Sequence, residues 1–144
     1  MNLFGMLELS GSALGAERQR AEVVASNMAN VQTTRTPQGG PYRRQLVVFQ
    51  SQRVPRFSLA LAGIERGRAS AVRVAAVVSD QRPPVMRFEP GHPDANQQGY
   101  VAYPQVDPIE EMTDLLGAVR AYELNASAVQ ATKNMIQQSL DLLR

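Results

Sequence analysis

Apolar side chains return every seven residues near the start of the chain, at Leu7, Leu14, Ala21 and Met28. Leu3, Val24 and Val31 lie on a neighbouring row of the same period, with Ser10 and Glu17 interrupting it. No proline falls in this stretch, and the spacing predicts one helix over residues 3–30. Gly5, Gly11 and Gly15 each cost about 1 kcal/mol relative to Ala in a helix interior. Ser10, Gly11, Ser12, Ala13, Gly15 and Ala16 form a small-residue patch that lets another helix approach closely.

A second, longer pattern closes the chain. Leu115, Tyr122, Val129, Ile136 and Leu143 repeat every seven residues. Met112, Val119, Ala126, Lys133 and Leu140 repeat beside them, and Lys133 is the one charged member. The two rows make the alternating three-four spacing of a coiled-coil seam. They predict a helix over 108–143, entered through Asp107 as a cap, Pro108 in the first turn and Glu110 closing a capping box. Glu110, Glu111 and Asp114 suit the positive end of its dipole, which is reason enough for them without catalysis. At 1.5 Å per residue the two helices span about 42 and about 54 Å.

Between them the period changes. Residues 36–106 hold eight of the nine prolines. Strand-like runs fall at 44–50, 56–61, 71–78, 84–88 and 99–103, separated by turn-rich segments. The expected fold class is α+β: long terminal helices forming a coiled-coil layer, with a small β-rich insert between them. The expected divisions are an N-terminal helix over 1–31, a middle segment over 32–106 and a C-terminal helix over 107–144, the two helices forming one domain. Long helices with narrow seams, flanking an insert too small to cover them, characterise an assembly subunit more than an enzyme.

Charge sharpens this picture. Residues 32–73 carry eight arginines and one acid, Glu65, whereas residues 74–144 carry five basic groups and nine acids. Such asymmetry suggests complementary surfaces within the chain or between copies. The formal net charge of +2 is too small to indicate a nucleic-acid partner, and no aromatic side chains interleave with Arg43 and Arg44. As adjacent residues of an extended segment, those two arginines face opposite sides, one solvated and one available for an ion pair. The absence of cysteine excludes disulfides, thiolate metal sites and cysteine nucleophiles. No run of 18 apolar residues exists, so no membrane insertion is expected. The start lacks the basic and continuous apolar regions of a cleavable secretory signal.

Candidate chemistry is sparse. His92 is the only histidine, and Asp94 lies two residues beyond it. A hydrolase using this pair is one reading. Against it, zinc needs three or four protein ligands, no Gly-x-Ser-x-Gly elbow is present, and Pro90, Gly91, Pro93 and Asn96 mark a turn. No phosphate-binding glycine loop occurs. Catalytic residues, metal and cofactor are therefore all expected to be absent. A regulatory or interaction module that pairs through its coiled coil is a second alternative.

The junction "SNMANVQTTRTPQGGPYRRQ", residues 26–45, is the most specific segment. Asn30 suits a left-handed helix-ending conformation. Threonine hydroxyls can satisfy the last helix carbonyls or open a turn. Gly39 and Gly40 permit a tight reversal, and Pro41 stops a helix from continuing. The segment resembles the signature of the bacterial flagellar rod and hook axial proteins, carried by Asn27, Ala29, Asn30, Thr33 and Thr34. Residues 34–45, with Gly39, Gly40, Pro41, Tyr42, Arg43 and Arg44, together with "PGHPDANQQGYVAYPQVDPIEEM" and "RAYELNASAVQATKNM", resemble the proximal rod subunits more than the longer distal rod or hook proteins. The similarity spans essentially the whole chain and is weakest over residues 51–70.

That resemblance implies a structural subunit of the basal-body rod, the drive shaft that carries motor torque across the periplasm. It implies export through the flagellar type III apparatus without a cleaved signal. Its partners would be other copies of itself, other proximal and distal rod subunits, and the export-gate and ring junction protein. The terminal helices would line the inner layer of a tube, with Leu7, Leu14, Ala21, Met28, Met112, Leu115, Val119, Tyr122, Ala126, Val129, Ile136, Leu140 and Leu143 as the assembly seam.

Overall fold

The computed structural model describes residues 3–53 and 70–142. Its elements run α1 (Leu3–Ala29), β1 (Gln45–Arg53), β2 (Ser70–Ser79), β3 (Val85–Phe88), β4 (Tyr100–Tyr103) and α2 (Pro108–Asp141). Two helices flank a small β-rich middle, so the α+β expectation holds. Four of the five expected strands appear within a few residues of their anticipated bounds; the fifth, 56–61, lies outside the described residues. β1 pairs with β2 in one two-stranded sheet, and β3 pairs with β4 in another.

The chain divides into two compact units. One comprises Met1–Gln19, Phe49–Ala75 and Ala118–Arg144. In it Ser10, Ala16, Ala118 and Thr132 are buried. Ser12 Oγ donates to the Leu9 carbonyl at 2.7 Å and accepts the Val72 amide at 3.0 Å, which ties α1 to β2. The other unit comprises Arg20–Val48 and Ala76–Gly117 and contains the junction segment.

The β3–β4 hairpin belongs to this second unit. It is antiparallel, with Val85 opposite Tyr103 and Phe88 opposite Tyr100. Val101 is fully buried, while β3 is exposed along its whole length. The loop closes where Gly99 takes φ +81°, a region that L side chains rarely adopt, and where the Phe88 ring leaves no room for a Cβ. Asn96 Oδ1 accepts the Gln98 and Tyr100 amides, both at 2.9 Å. Tyr103 donates its hydroxyl to Glu89 at 2.8 Å, and Arg87 lies over its ring at 4.8 Å.

α2 begins as expected at its cap and differs one turn later. Asp107 Oδ1 accepts the Ile109 amide at 2.9 Å. Glu110, expected to close a capping box, instead turns its carboxylate to Arg44 Nη2 at 3.3 Å. A charged partner is the stronger attraction for an anion there than one more backbone amide.

The end of α1 also differs from expectation. No residue other than glycine has positive φ among the described residues, so Asn30 does not end the helix in the left-handed region. Its side chain does the work instead: Asn30 Nδ2 donates to the Ser26 carbonyl at 2.9 Å. Its own carbonyl accepts the Thr33 amide at 3.0 Å, and its Oδ1 accepts the Thr33 hydroxyl at 3.1 Å. The Ser26 carbonyl thus accepts both the Asn30 amide, at 3.1 Å, and the Asn30 side chain, and the threonine hydroxyl is met in turn.

Candidate functional site

The second unit gathers the junction around one buried amide. Asn27, at 1% exposure, is in the last turns of α1. Its Nδ2 donates to the Gln45 carbonyl and to Glu111 Oε2, both at 2.9 Å. Its Oδ1 accepts the Gln45 amide at 2.9 Å and the Tyr42 hydroxyl at 3.0 Å. The side chain thereby pairs with both backbone groups of the first residue of β1, as a neighbouring strand would. All its hydrogen-bonding capacity is used inside the protein.

Glu111, at 0% exposure, is the anion of this cluster. It accepts from Asn27 and from Arg44 Nε. Arg44, at 8% exposure, also reaches Glu110 at 3.3 Å and Asp114 at 3.6 Å. Asp114 in turn pairs with Arg20 of α1 at 3.2 Å. Burial disfavours the Arg44 charge, but the hydrogen bond to Glu111 and the charges of Glu111, Glu110 and Asp114 outweigh it, holding the guanidinium above its ordinary range. Two cations and three carboxylates from α1, the strand approach and α2 are thus locked together.

The sequence around the cluster explains how its members arrive. Gly39 at φ +87° and Gly40 at φ +75° turn the chain back on itself. Thr36 closes that turn, accepting the Gly39 amide and donating its own amide to the Gly40 carbonyl, both at 2.9 Å. Tyr42 N then donates to the Thr33 carbonyl at 3.0 Å, delivering Tyr42 and Arg44 beside Asn27. The adjacent arginines divide as anticipated: Arg43 is exposed and donates to Gln81 at 3.1 Å, whereas Arg44 is buried in ion pairs. Thr34 Oγ1 donates to Asp94 at 2.8 Å, and Arg35 approaches the same carboxylate at 3.8 Å. Ala29 is the last residue of α1 and is exposed, and Pro41 follows the two-glycine reversal.

The hydrolase pair is accounted for by this geometry. Asp94 is engaged with Thr34 and Arg35, and its amide donates to His92 Nδ1 at 3.1 Å. His92 packs edge-on to Tyr103. These contacts bind a turn to the junction. Among the described residues, no group of three or more His, Asp or Glu side chains could hold a metal ion. No described helix is long and apolar enough to cross a membrane.

The anticipated seam residues divide into two classes. Leu7, Leu14, Ala21, Met28, Leu115, Val129 and Ile136 are half-buried. Met112, Val119, Tyr122, Ala126 and Leu140 are exposed, and Leu143 lies outside the described residues. The row of α2 that the chain buries itself is the adjacent one, Glu111, Ala118 and Thr132, with Asn125 half-buried. Its polar members are satisfied locally: Asn125 Nδ2 and Thr132 Oγ1 each donate to the carbonyl four residues earlier, at 2.8 Å. Sequence reasoning did not single out Glu111 as the buried anchor. The available signal was this seven-residue row of small and polar positions, headed by Glu111 beside the apolar row.

Comparison with known proteins bears on this arrangement directly. A family model described as "Flagella basal body rod protein" matches residues 7–35. A second, described as "Flagellar basal body rod FlgEFG protein C-terminal", matches residues 97–142. The flagellar basal-body rod protein FlgC of Bacillus subtilis (strain 168) is 41% identical over 149 residues, covering 99% of each chain. The chain belongs to the flagellar basal-body rod protein family. Among its other relatives, FlgC of Borreliella burgdorferi is 35% identical, covering 100% of this chain and 99% of that one. FlgC of Salmonella typhimurium is 37% identical, covering 99% and 98%. The two family models bracket the cluster: Asn27 lies in one matched segment and Glu111 in the other, and Arg44 lies between them.

Proposed function

We propose that this chain is a non-catalytic structural subunit of the flagellar basal-body rod, which polymerises with other copies and with other proximal and distal rod subunits. The observation that carries the reading is the distribution of apolar surface. Among the described residues only Ala16, Val24, Val101 and Ala118 form a buried apolar core, while 21 large apolar or tyrosine side chains are exposed. On α2 these include Ile109, Met112, Leu116 and Val119 at three- and four-residue spacing, from 43 to 78% exposed. Each contributes about 1.5–3 kcal/mol if a neighbour fully covers it. A contiguous stripe of this kind marks an interaction surface.

In this reading the helices form the inner layer of a tube and the β-rich middle the outer one, the division expected from the pattern at 1–31, 32–106 and 107–144. The rod carries torque across the periplasm, the subunit is exported through the flagellar type III apparatus without a cleaved signal, and it meets the export-gate and ring junction protein at one end. The family membership, the exposed stripes and the engaged His92–Asp94 turn support this. The deciding experiment is purification of basal bodies from cells carrying the tagged chain. The chain is expected in the rod fraction, and cells lacking it are expected to be non-motile; a soluble pool alone, with swimming intact in the deletion, would refute the assignment.

A further inference from the structure

Two exposed helix faces of the first compact unit carry matching patterns. On α1 the exposed row passes through Glu8, Gly11, Gly15 and Arg18. On α2 it passes through Glu123, Ala126, Gln130 and Lys133. Each row has an acid at its N-terminal side and a base ten residues later, about 15 Å along the axis. Each has small or medium positions between the charges. Glu123 and Lys133 have no ion-pair partner among the described residues, and Lys133 is the only lysine of the chain.

Aligned in the same direction, these rows would place like charges together. Aligned in opposite directions, they pair Glu8 with Lys133 and Arg18 with Glu123 at once. The same register sets Gly11 against Gln130 and Gly15 against Ala126, because both rows alternate three- and four-residue steps. A Cβ at Gly11 or Gly15 would meet nothing within 4 Å in the chain itself. Glycine on an exposed helix face disfavours the helix and is explained by a close neighbour.

We propose that this α1 face receives the α2 face of a second copy of the chain, antiparallel, with Glu8–Lys133 and Arg18–Glu123 fixing the register. The inference rests on the rod reading and names one lateral contact within it. The two faces differ, so each copy offers one and receives the other. Such a head-to-tail contact propagates along an assembly and does not stop at a dimer. The charge pairs set register and reject misaligned neighbours more than they add affinity.

The test exploits a chain without cysteine. Full-length chains carrying Gly11→Cys and Gln130→Cys are co-expressed in place of the natural chain, and isolated basal bodies are oxidised. Each chain has one thiol, so any disulfide joins two copies. Dimers are expected for this pair, and for Gly15→Cys with Ala126→Cys. They are expected to be lost for Gly11→Cys with Gln137→Cys, displaced by about 10 Å along the helix where a disulfide spans about 7 Å at most. In parallel, Glu8→Lys and Lys133→Glu are each expected to reduce swimming, and the two in one chain to restore it. Basal bodies that contain the chains but show no preference for the matched pair, or charge reversals that are not mutually restorative, would overturn the contact while leaving the rod reading intact. Absence of the chains from basal bodies would overturn both.

Discussion

Removing the Glu111 carboxylate is the sharpest perturbation of the cluster. In Glu111→Gln the side-chain size is kept, but Arg44, at 8% exposure, loses its fully buried counter-ion. Its remaining partners are Glu110, 55% exposed at 3.3 Å, and Asp114, 39% exposed at 3.6 Å. Unpairing a buried ion costs about 3–5 kcal/mol, and the two residual carboxylates place this case near the bottom of that range, at about 3 kcal/mol. Stabilities of whole domains are about 5–15 kcal/mol, so this is a large share. Urea denaturation of the purified chain, followed by circular dichroism, reads it directly. With a slope of about 1.5 kcal/mol per molar urea, the midpoint falls by about 2 M. Glu110→Gln is the control, because an exposed pair contributes about 0–1 kcal/mol. Arg44→Met combined with Glu111→Gln should recover most of the loss, because no buried charge is then left unpaired and the glutamine amide oxygen can still accept from Asn27 Nδ2. A loss below about 0.5 kcal/mol for Glu111→Gln, equal to that of Glu110→Gln, would refute the assignment of Glu111 as anchor.

Further outcomes are expected. Gly99→Ala should destabilise by more than about 1 kcal/mol in the same assay, because φ is +81° and the new Cβ would lie 2.9 Å from the Phe88 ring. Asp80 is held below its usual carboxylate range by the Arg82 backbone amide, then by the Arg82 side chain. Its contribution is therefore present above its ordinary value of 3.8 and lost as pH falls through the lower folded value, which an NMR titration of the Arg82 amide would follow. His92→Ala should leave swimming largely intact, whereas deleting residues 137–144 should abolish rod assembly; the opposite pattern would favour chemistry at the His92 turn.

The helices and strands were legible because their periods differ, and because Asp107, Pro108, Gly39 and Gly40 act locally. Arg44 was legible as one of a divided pair. Which row of α2 the chain would bury was not. Met112 and Val119 are more apolar than Glu111 and Thr132, yet the latter go inside. That choice depends on Arg44 and Asn27, which are distant in sequence. Asn30 was misread for a related reason: the Ser26, Asn27 and Met28 carbonyls are met within one turn by the Asn30 amide and side chain and by the Val31 amide, which removes the need for an unusual backbone angle.

The Asn27 amide has a mechanical consequence. Apolar stripes resist separation but let helices slip and roll with little penalty, whereas hydrogen bonds at 2.9–3.0 Å weaken steeply when their angles change. The bend from helix to strand is therefore a rigid elbow with a preferred angle, set among surfaces that remain compliant to shear. A filament built of such parts would yield between its members before it yielded at the elbow.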